Sequence, residues 1–524
     1  MNDRLLLLGG LAIVSGLLAT LSFPPFDLGV LAWFSLVPFL YALRQRSIGA
    51  AAGIGFLFGA ALGIGTCYWI YTLENIALPG FFLWQLGFAL YFLLFGILYR
   101  LICRRIGSWI IIGAPALWVG LEYIRANLFF LSCPWTLLGH SQYLYLPVIQ
   151  IADIAGVYGI SFILVMVNQL ISQAVEYFIA GKGLSGRIIT QADTIIDRRH
   201  VLITIFTFFL IVYYSLATLA PQENTSGSVR VALVQGNVLV DNGMTYEEKK
   251  AHLAVYERMT KEAVQQNPDL IVWPATSLPA PPRTDRLVGY TVRDIARSSG
   301  AYLLVGGAGY EKVAPKKKGY LPFSNSEYLI RPTGGLGGQY NKMHLLAFNE
   351  YVPLQGVIKW PSSITTLQES FLPGEEYTLF HVKDAIFGTP ICSENLYSDH
   401  FRRFVKKGAQ FMVSVSNEGF LRHTVAPYQT LAMNVFRAVE NRVTVARAAT
   451  TGISAFISPT GKILAKIEDE HKRDISVAGI LVRDIPLSDK KTFYTRFGDI
   501  FSFINIGLSA IFVIIAMTKK EYDS

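Results

Sequence analysis

Charge is scarce in this chain. Asp, Glu, Lys and Arg make up only 16% of its 524 residues, against 52% hydrophobic. That balance is too apolar for an ordinary soluble protein and excludes a disordered one. Cysteine is scarcer still. Cys67, Cys103, Cys133 and Cys392 are too few for a disulfide framework, and only Cys392 falls in the polar middle of the chain. No spacing of His, Cys, Asp and Glu suggests a metal site, and no cofactor is expected. The glycine cluster "GGLGG" at 334–338 lacks the strand-to-helix setting of a nucleotide-binding turn. The net charge of +9 comes without a basic, aromatic-interleaved stripe, so nucleic acid is not an expected partner. One strand end also lacks any reactive group. "DLIVWPATSLPAPP" (Asp269 to Pro282) reads as a buried strand that stops at Trp273-Pro274, and the first side chain beyond is the methyl of Ala275. Strand ends are where α/β enzymes mount reacting groups.

What the chain has instead is long apolar runs. Eight approach or reach bilayer length: roughly 5–22, 28–43, 49–71, 81–103, 106–124, 155–178, 201–219 and 499–518. A helix needs about 20 residues to cross the hydrocarbon core. The first run is not a signal peptide, because it lacks a small-residue cleavage site and is followed at once by another apolar run. Arg4, Arg44, Arg46, Arg100, Arg104, Arg105, Lys182, Arg187, Arg198, Arg199, Lys519 and Lys520 all fall at one set of alternate run ends. The other connections, "FPPFDLG" and "TLENIALPG", carry no Lys or Arg. The positive-inside rule then sets both termini in the cytoplasm and the segment between runs seven and eight on the outer side. The expected organisation is a membrane domain with seven transmembrane helices (1–220), a soluble domain (221–487), and a linker with the eighth helix (488–524). Glu122, Arg125 and Asp153 lie near run ends rather than mid-run, which argues against a transport pathway.

The middle region alternates strands and helices. "VRVALVQGN", "DLIVW", "AYLLVGGAG", "DAIFGTPIC", "FMVSVSNEG" and "VTVARAA" read as strands. Between them lie helical patterns, the first opened by a capping box at Thr245 and Glu248 and the second closed by Gly300. "SEYLIRPTGGLGGQYNK" and "ISAFISPTGKILAKI" read as hairpins. The pattern predicts an α/β sandwich of sheets covered by helices.

Three strand ends could hold chemistry. Cys392 in "GTPICSEN" is either a packed small hydrophobe or a nucleophile. Lys342 in "YNKMHLLAFNEYVP" is either a snorkelling lysine or a cation aimed at an oxyanion. Glu350, eight residues on, is a surface carboxylate or a partner that orients it. A thiol and a cation still lack a base for acyl transfer, and the place for one is the slot after Trp273-Pro274.

The segments "VWPATSLP", "YNKMHL" and "TPICSEN" resemble the three signature stretches of the nitrilase (carbon–nitrogen hydrolase) superfamily. With apolar runs before and after, the whole chain resembles the bacterial apolipoprotein N-acyltransferase family. The resemblance implies a polytopic α-helical membrane domain plus a nitrilase-like αββα sandwich inserted before the last transmembrane helix. It makes Cys392 the nucleophile, Lys342 the oxyanion-stabilising cation, and Glu350 and Glu394 supporting acids. The family's general-base glutamate falls on Ala275, while the flanking "WP" and "LP" are intact. Ser393 also departs from the aromatic residue expected beside the cysteine. Asn417 in "SVSNEGF" is implied to be structural, and Glu440, Arg442 and Arg447 to form a structural ion network. "SLPAPPRTD" and "LQGVIKWPSSI" would lie near the membrane, with Trp360 meeting lipid.

The implied reaction moves a phospholipid acyl chain to Cys392 as a thioester. From there it passes to the α-amine of the diacylglyceryl-cysteine at an apolipoprotein N-terminus, by a monomer in the bacterial inner membrane with a periplasmic catalytic domain. With no carboxylate at 275 the thiol keeps its proton, and Lys342 is expected to draw its pKa down from about 8.5. Losing a general base costs about 10²–10⁴ in rate. The expectation is therefore an impaired chain, whether an inactivated variant or a natural pseudoenzyme. The competing readings are a non-catalytic lipid or lipoprotein binder and a membrane-tethered amidase.

Overall fold

The computed structural model describes residues 2–44, 47–73, 78–181, 198–219, 227–241, 243–310, 323–362, 364–365, 367 and 370–518. Arg46, Lys182, Arg187, Lys519, Lys520 and linker residues 221–226 lie outside these, as do the side chains of Arg4, Arg198 and Arg199. The chain divides into two compact units. One comprises 1–71, 78–220 and 499–524, the other 72–77 and 221–498.

The first unit is helical: α1 (Asn2–Leu21), α2 (Val37–Arg44), α3 (Ile48–Cys67), α4 (Leu78–Cys103), α5 (Ile110–Asn127), α6 (Leu146–Ile149), α7 (Ala152–Gly181) and α8 (Arg198–Leu219). Among the described residues six helices are long and apolar enough to cross a membrane, five of them in this stretch and the sixth at Ile500–Thr518. The second apolar run is not one helix, contrary to the sequence reading. It splits into a 3-10 turn, Gly29–Trp33, and the eight-residue α2. Asn168 of α7 explains the break: its Oδ1 accepts from Leu36 N (2.9 Å) and its Nδ2 donates to Ala32 O (2.8 Å), replacing the bonds a continuous helix would make. Glu122 and Arg125 serve a similar end. Glu122 accepts from Leu138 N at 2.7 Å, and Arg125 donates to the carbonyls of Cys133, Trp135 and Thr136, so both hold the loop after α5. Close helix contact rests on small residues. A Cβ on Gly55 of α3 would collide with the Phe92 carbonyl oxygen of α4.

Among the described residues the second unit has twelve strands: β1 (Ser228–Gln235), β2 (Leu270–Val272), β3 (Tyr302–Tyr310), β4 (Phe323–Ile330), β5 (Leu336–Asn341), β6 (Leu379–Val382), β7 (Ala385–Gly388), β8 (Phe411–Ser416), β9 (Thr444–Ala449), β10 (Ala455–Ile457), β11 (Ile463–Lys466) and β12 (Gly479–Pro486). They form two six-stranded sheets, ordered β12-β1-β2-β3-β4-β5 and β11-β10-β9-β8-β7-β6. Its helices are α9 (Tyr246–Val264), α10 (Arg286–Ser299), α11 (Ser398–Lys407), α12 (Ala426–Asn441) and α13 (Phe493–Phe497), after which α14 (Ile500–Thr518) returns to the first unit. The capping box opens α9 as the spacing predicts, and Gly300 ends α10 in the left-handed region at φ +64°.

Strand alternation sorts the first sheet into two faces. Ile271, Trp273, Leu303, Val305, Tyr328 and Ile330 pack in one cluster with Leu253, Tyr256, Val288 and Val292 of α9 and α10. The intervening positions look the other way. From that face Tyr340 reaches Glu394 and Phe404 beyond the second sheet's β7, and a Cβ on Gly338 would touch Phe380 of β6. The layers are thus helix, sheet, sheet, helix, and the inner face of the first sheet is where its strand ends can meet Cys392.

Replacing Asn168 with Ala leaves the Leu36 N–H and Ala32 C=O without their partner. Each buried orphan costs about 1–3 kcal/mol, so the melting temperature of the detergent-solubilised protein is expected to fall by several degrees. An unchanged melting temperature would remove Asn168 as the cause of the helix break.

Candidate active site

Lys342 lies one residue past β5. Its backbone N–H still bonds to Asn325 O of β4 (2.8 Å), and its carbonyl accepts from Gly374 N (2.8 Å), so the stem is fixed on both sides. The side chain is only 1% exposed. Its ammonium donates to both carboxylate oxygens of Glu350, at 2.7 and 2.5 Å. Glu350 is itself held by the Leu346 N–H at 2.8 Å. Burial works against this ammonium, but Glu350 and then the Cys392 thiol outweigh it, and its pKa stands above the ordinary lysine value.

Cys392 opens a short 3-10 turn, Cys392–Leu396, just beyond β7. Its φ is +51°, a left-handed conformation that costs a non-glycine residue about 1–3 kcal/mol and is over-represented at functional sites. Ser416 Oγ of β8 donates to its sulfur at 3.8 Å. Lys342 does draw the thiol pKa down, as expected. Burial pushes it up further, with Glu350 and Glu418 adding to the rise, so the thiol sits above its ordinary value rather than below it. The thiol thus keeps its proton, as expected, and the downward pull of Lys342 is outweighed by burial.

Glu394, two residues on, is fully buried and acts as a clamp. Oε1 accepts from Met343 N (2.7 Å) and His344 N (2.9 Å), the residues following Lys342. Oε2 accepts from Ile391 N (2.8 Å), the residue preceding Cys392, and Tyr340 Oη donates to the same carboxylate at 2.9 Å. One side chain thus ties the lysine segment to the cysteine segment. Burial alone would raise its pKa, but His400, the Ile391 N–H and Lys342 hold it at about 2.

Ala275 is completely buried. Trp273 before it is fixed by stacking on Tyr256 (4.6 Å between ring centroids) and by its indole N–H to Thr260 Oγ1 (3.0 Å). Thr276 after it turns at φ +55°. A Cβ placed on Gly306 of β3 would lie 2.7 Å from Ala275 Cα, so Ala275 borders the same sheet as Lys342. Ser393 is buried, and its hydroxyl has no hydrogen-bond partner among the described residues.

Asn417 has the structural part assigned to it, accepting from Gly419 N (3.2 Å) and Thr450 Oγ1 (3.0 Å). The expected ion-network residues have further partners. Glu440 pairs with Arg437, Arg447 pairs with Glu418, and Arg442 caps α12 in the left-handed region with a bond to Pro459 O. The sequence reading missed Glu418, which lies close enough to act on the thiol, the half-buried His344 and the buried His400, both in contact with aromatic rings. His344 lies against Tyr397, and burial lowers its pKa to about 4, so it is neutral near pH 7. His400 bonds to Tyr340 Oη.

Two family models match the chain: the apolipoprotein N-acyltransferase N-terminal domain over residues 15–170 and carbon-nitrogen hydrolase over residues 230–489. The apolipoprotein N-acyltransferase of Geobacter metallireducens is 30% identical over 523 residues, covering 98% of this chain and 95% of its own length. The chain belongs to the apolipoprotein N-acyltransferase family. The member from Chlorobaculum tepidum is 26% identical over 540 residues, covering 98% of this chain and 97% of its own. Among solved structures, a mutant of the Nesterenkonia AN1 amidase from the nitrilase superfamily covers 53% of this chain and 95% of its own, at 18% identity and a TM-score of 0.37. Within this acyltransferase family member the nitrilase-like α/β domain precedes the last apolar helix, as the resemblance implied.

Glu394→Ala strands three backbone N–H groups at once. At about 1–3 kcal/mol per buried orphan, it is expected to destabilise the α/β unit by at least about 3 kcal/mol in detergent denaturation. The wild-type carboxylate has its pKa depressed from 4.5 to about 2. Its contribution is therefore present above pH 4.5 and lost as pH falls from there toward 2. Glu394→Ala should flatten that acid limb, and an unaltered limb would refute the clamp.

Proposed function

We propose that this chain transfers an acyl group from a phospholipid to Cys392, as a thioester, and then to the α-amine of the diacylglyceryl-cysteine that begins an apolipoprotein. The observation that carries this reading is the buried Lys342 ammonium, fixed by Glu350 and within electrostatic reach of the Cys392 thiol. A cation that cannot turn toward water is pre-aimed at the oxyanion formed when sulfur adds to an ester carbonyl, and such preorganised charge is the largest common contribution to acyl-transfer catalysis. Glu394 keeps the two segments in register as a positioning residue, and Glu350 keeps the ammonium from relaxing.

Six long apolar helices and membrane-enzyme relatives fit a bacterial inner-membrane protein. We take the termini as cytoplasmic and the α/β unit as periplasmic, and the enzyme as a monomer. Both substrates carry acyl chains, so the loop at Leu354, Val357 and Ile358 is read as lipid-facing. All three side chains are exposed, Val357 to 84%. Trp360 bridges this loop to the unit's interior: its indole N–H bonds to Pro353 O (2.7 Å) and its ring meets Phe348 edge-on at 5.0 Å. Shielding the thioester from water matters because hydrolysis competes with attack by the amine.

Ala275 favours a second reading, a lipid- or lipoprotein-binding pseudoenzyme. On the missing carboxylate alone, thioester formation is slower by about 10²–10⁴. The amidase reading has no feature that calls for six apolar helices.

Incubated with phosphatidylethanolamine–phosphatidylglycerol vesicles, the full-length protein is expected to gain one acyl group on Cys392, read by mass spectrometry. Cys392→Ala should gain none, and Lys342→Met should slow the gain by about 10²–10³. Acylation that persists in Cys392→Ala would overturn the assignment of the nucleophile.

A further inference from the structure

Glu327 sits mid-strand in β4 with its side chain 0% exposed, and neither carboxylate oxygen has a hydrogen-bond partner among the described residues. Folding gains nothing from such a group. A buried polar side chain without a partner costs stability, and a small apolar residue would fill the same place without that cost. An unexplained carboxylate therefore asks for a use.

Its neighbours point to one. Across the ladders Glu327 pairs with Gly306 of β3 on one side and Tyr340 of β5 on the other. Tyr340 and Lys342 are two residues apart, so Glu327 shares the inner face that carries the lysine. A Cβ on Gly306 would lie 2.5 Å from Glu327 Oε1, 2.5 Å from Thr276 N and 2.7 Å from Ala275 Cα. The carboxylate thus lies over Gly306, no farther from Ala275 Cα than those two distances laid end to end. Glycine is what admits it, because any side chain at 306 would collide with the acid. The chain lacks a carboxylate at Ala275 and buries an unpartnered one two strands along, folded back over that same position. Tyr340, the ladder partner of Glu327, already reaches Glu394 two residues from Cys392.

We propose that Glu327 is the general base of this enzyme, serving from β4 the site that Ala275 leaves without one. The proposal rests on the acyltransferase reading above. The Cys392 S–H proton passes to the Glu327 carboxylate as sulfur adds to the ester carbonyl, and Lys342 holds the resulting oxyanion. As the ester C–O bond breaks, the proton moves from Glu327 to the departing glycerol oxygen, leaving a thioester and a lysophospholipid. In the second half the acceptor amine adds to the thioester and gives its proton to Glu327. The C–S bond then breaks, and the thiolate takes that proton back. Burial raises the Glu327 pKa well above the usual carboxylate range, which makes its carboxylate a stronger proton acceptor.

The test follows acyl-Cys392 by mass spectrometry on full-length protein with phosphatidylethanolamine–phosphatidylglycerol vesicles, alongside the melting temperature. Wild type should acylate, and Glu327→Gln should slow acylation by about 10²–10⁴ with a melting temperature equal to or above wild type. Glu327→Ala combined with Ala275→Glu should recover at least tenfold over Glu327→Ala alone, while Ala275→Glu by itself should gain less than tenfold over wild type, a contrast that a merely structural Glu327 would not give. Glu327→Gln as fast as wild type, with Cys392→Ala blank, would overturn the proposal and leave the family reaction standing. Silent wild type with active Ala275→Glu would also overturn it, in favour of a pseudoenzyme. Silence of both would remove the acyltransferase reading itself.

Discussion

A lysine ammonium held out of water is the constraint around which the α/β unit is organised. A buried charge is tolerable only with a partner of opposite sign and satisfied hydrogen bonds, and Glu350 supplies both from a segment that must itself be tied down by the Leu346 N–H. That requirement fixes the 342–350 loop. Glu394 fixes the other boundary by joining the segment after Lys342 to the residue before Cys392. Lys342 follows β5 of the first sheet and Cys392 follows β7 of the second, and Glu394 ties the two segments together across the sheets.

The same burial makes the thiol hard to ionise. Near a surface, Lys342 would be enough to favour a thiolate; in this interior the loss of hydration is the larger effect, and Glu350 partly cancels the cation. In the proposed reaction Lys342 therefore serves as the oxyanion partner, and proton removal calls for a separate acceptor. This is why the identity of residue 275 matters more here than it would in a solvent-open site.

Much of this was legible in the sequence because it is local. Strand ends announce themselves by a stop in apolar runs, and Lys342, Glu350, Cys392 and the Ala275 position all follow such stops. The capping box of α9 and the glycine stop of α10 are likewise local chemistry. What could not be read is set by partners far along the chain. β12 pairs with β1 across some 250 residues, and "GILVRDIP" has no alternation strong enough to name it a strand unaided. β6 is four residues long and exists through its hairpin with β7. The second apolar run looked like a span because nothing in its own residues shows that Asn168 will take its backbone bonds. Glu394 was read as a supporting acid, and only the contacts of its two oxygens reveal a clamp. Glu327 sits inside "SNSEYLI", where strand alternation alone leaves open whether its carboxylate faces solvent or the interior.

Glu327 also shows how a catalytic function can be tied to a place in space rather than to a place in sequence. On adjacent strands, side chains directly across a ladder stand about 4.5–5.5 Å apart at Cβ, close enough for an extended glutamate to lie over a small residue on the next strand. A carboxylate can therefore leave one strand end and be replaced from a neighbouring strand without moving the site its oxygens serve, provided the intervening residue is small. Gly306 meets that condition between Ala275 and Glu327. The order of changes is constrained by the same physics. Two carboxylates in one desolvated space repel, and one would be held protonated, so a glutamate at 275 and another at 327 interfere. A glutamate at 327 with alanine at 275 leaves a single carboxylate to serve the site, and that is the arrangement this chain has.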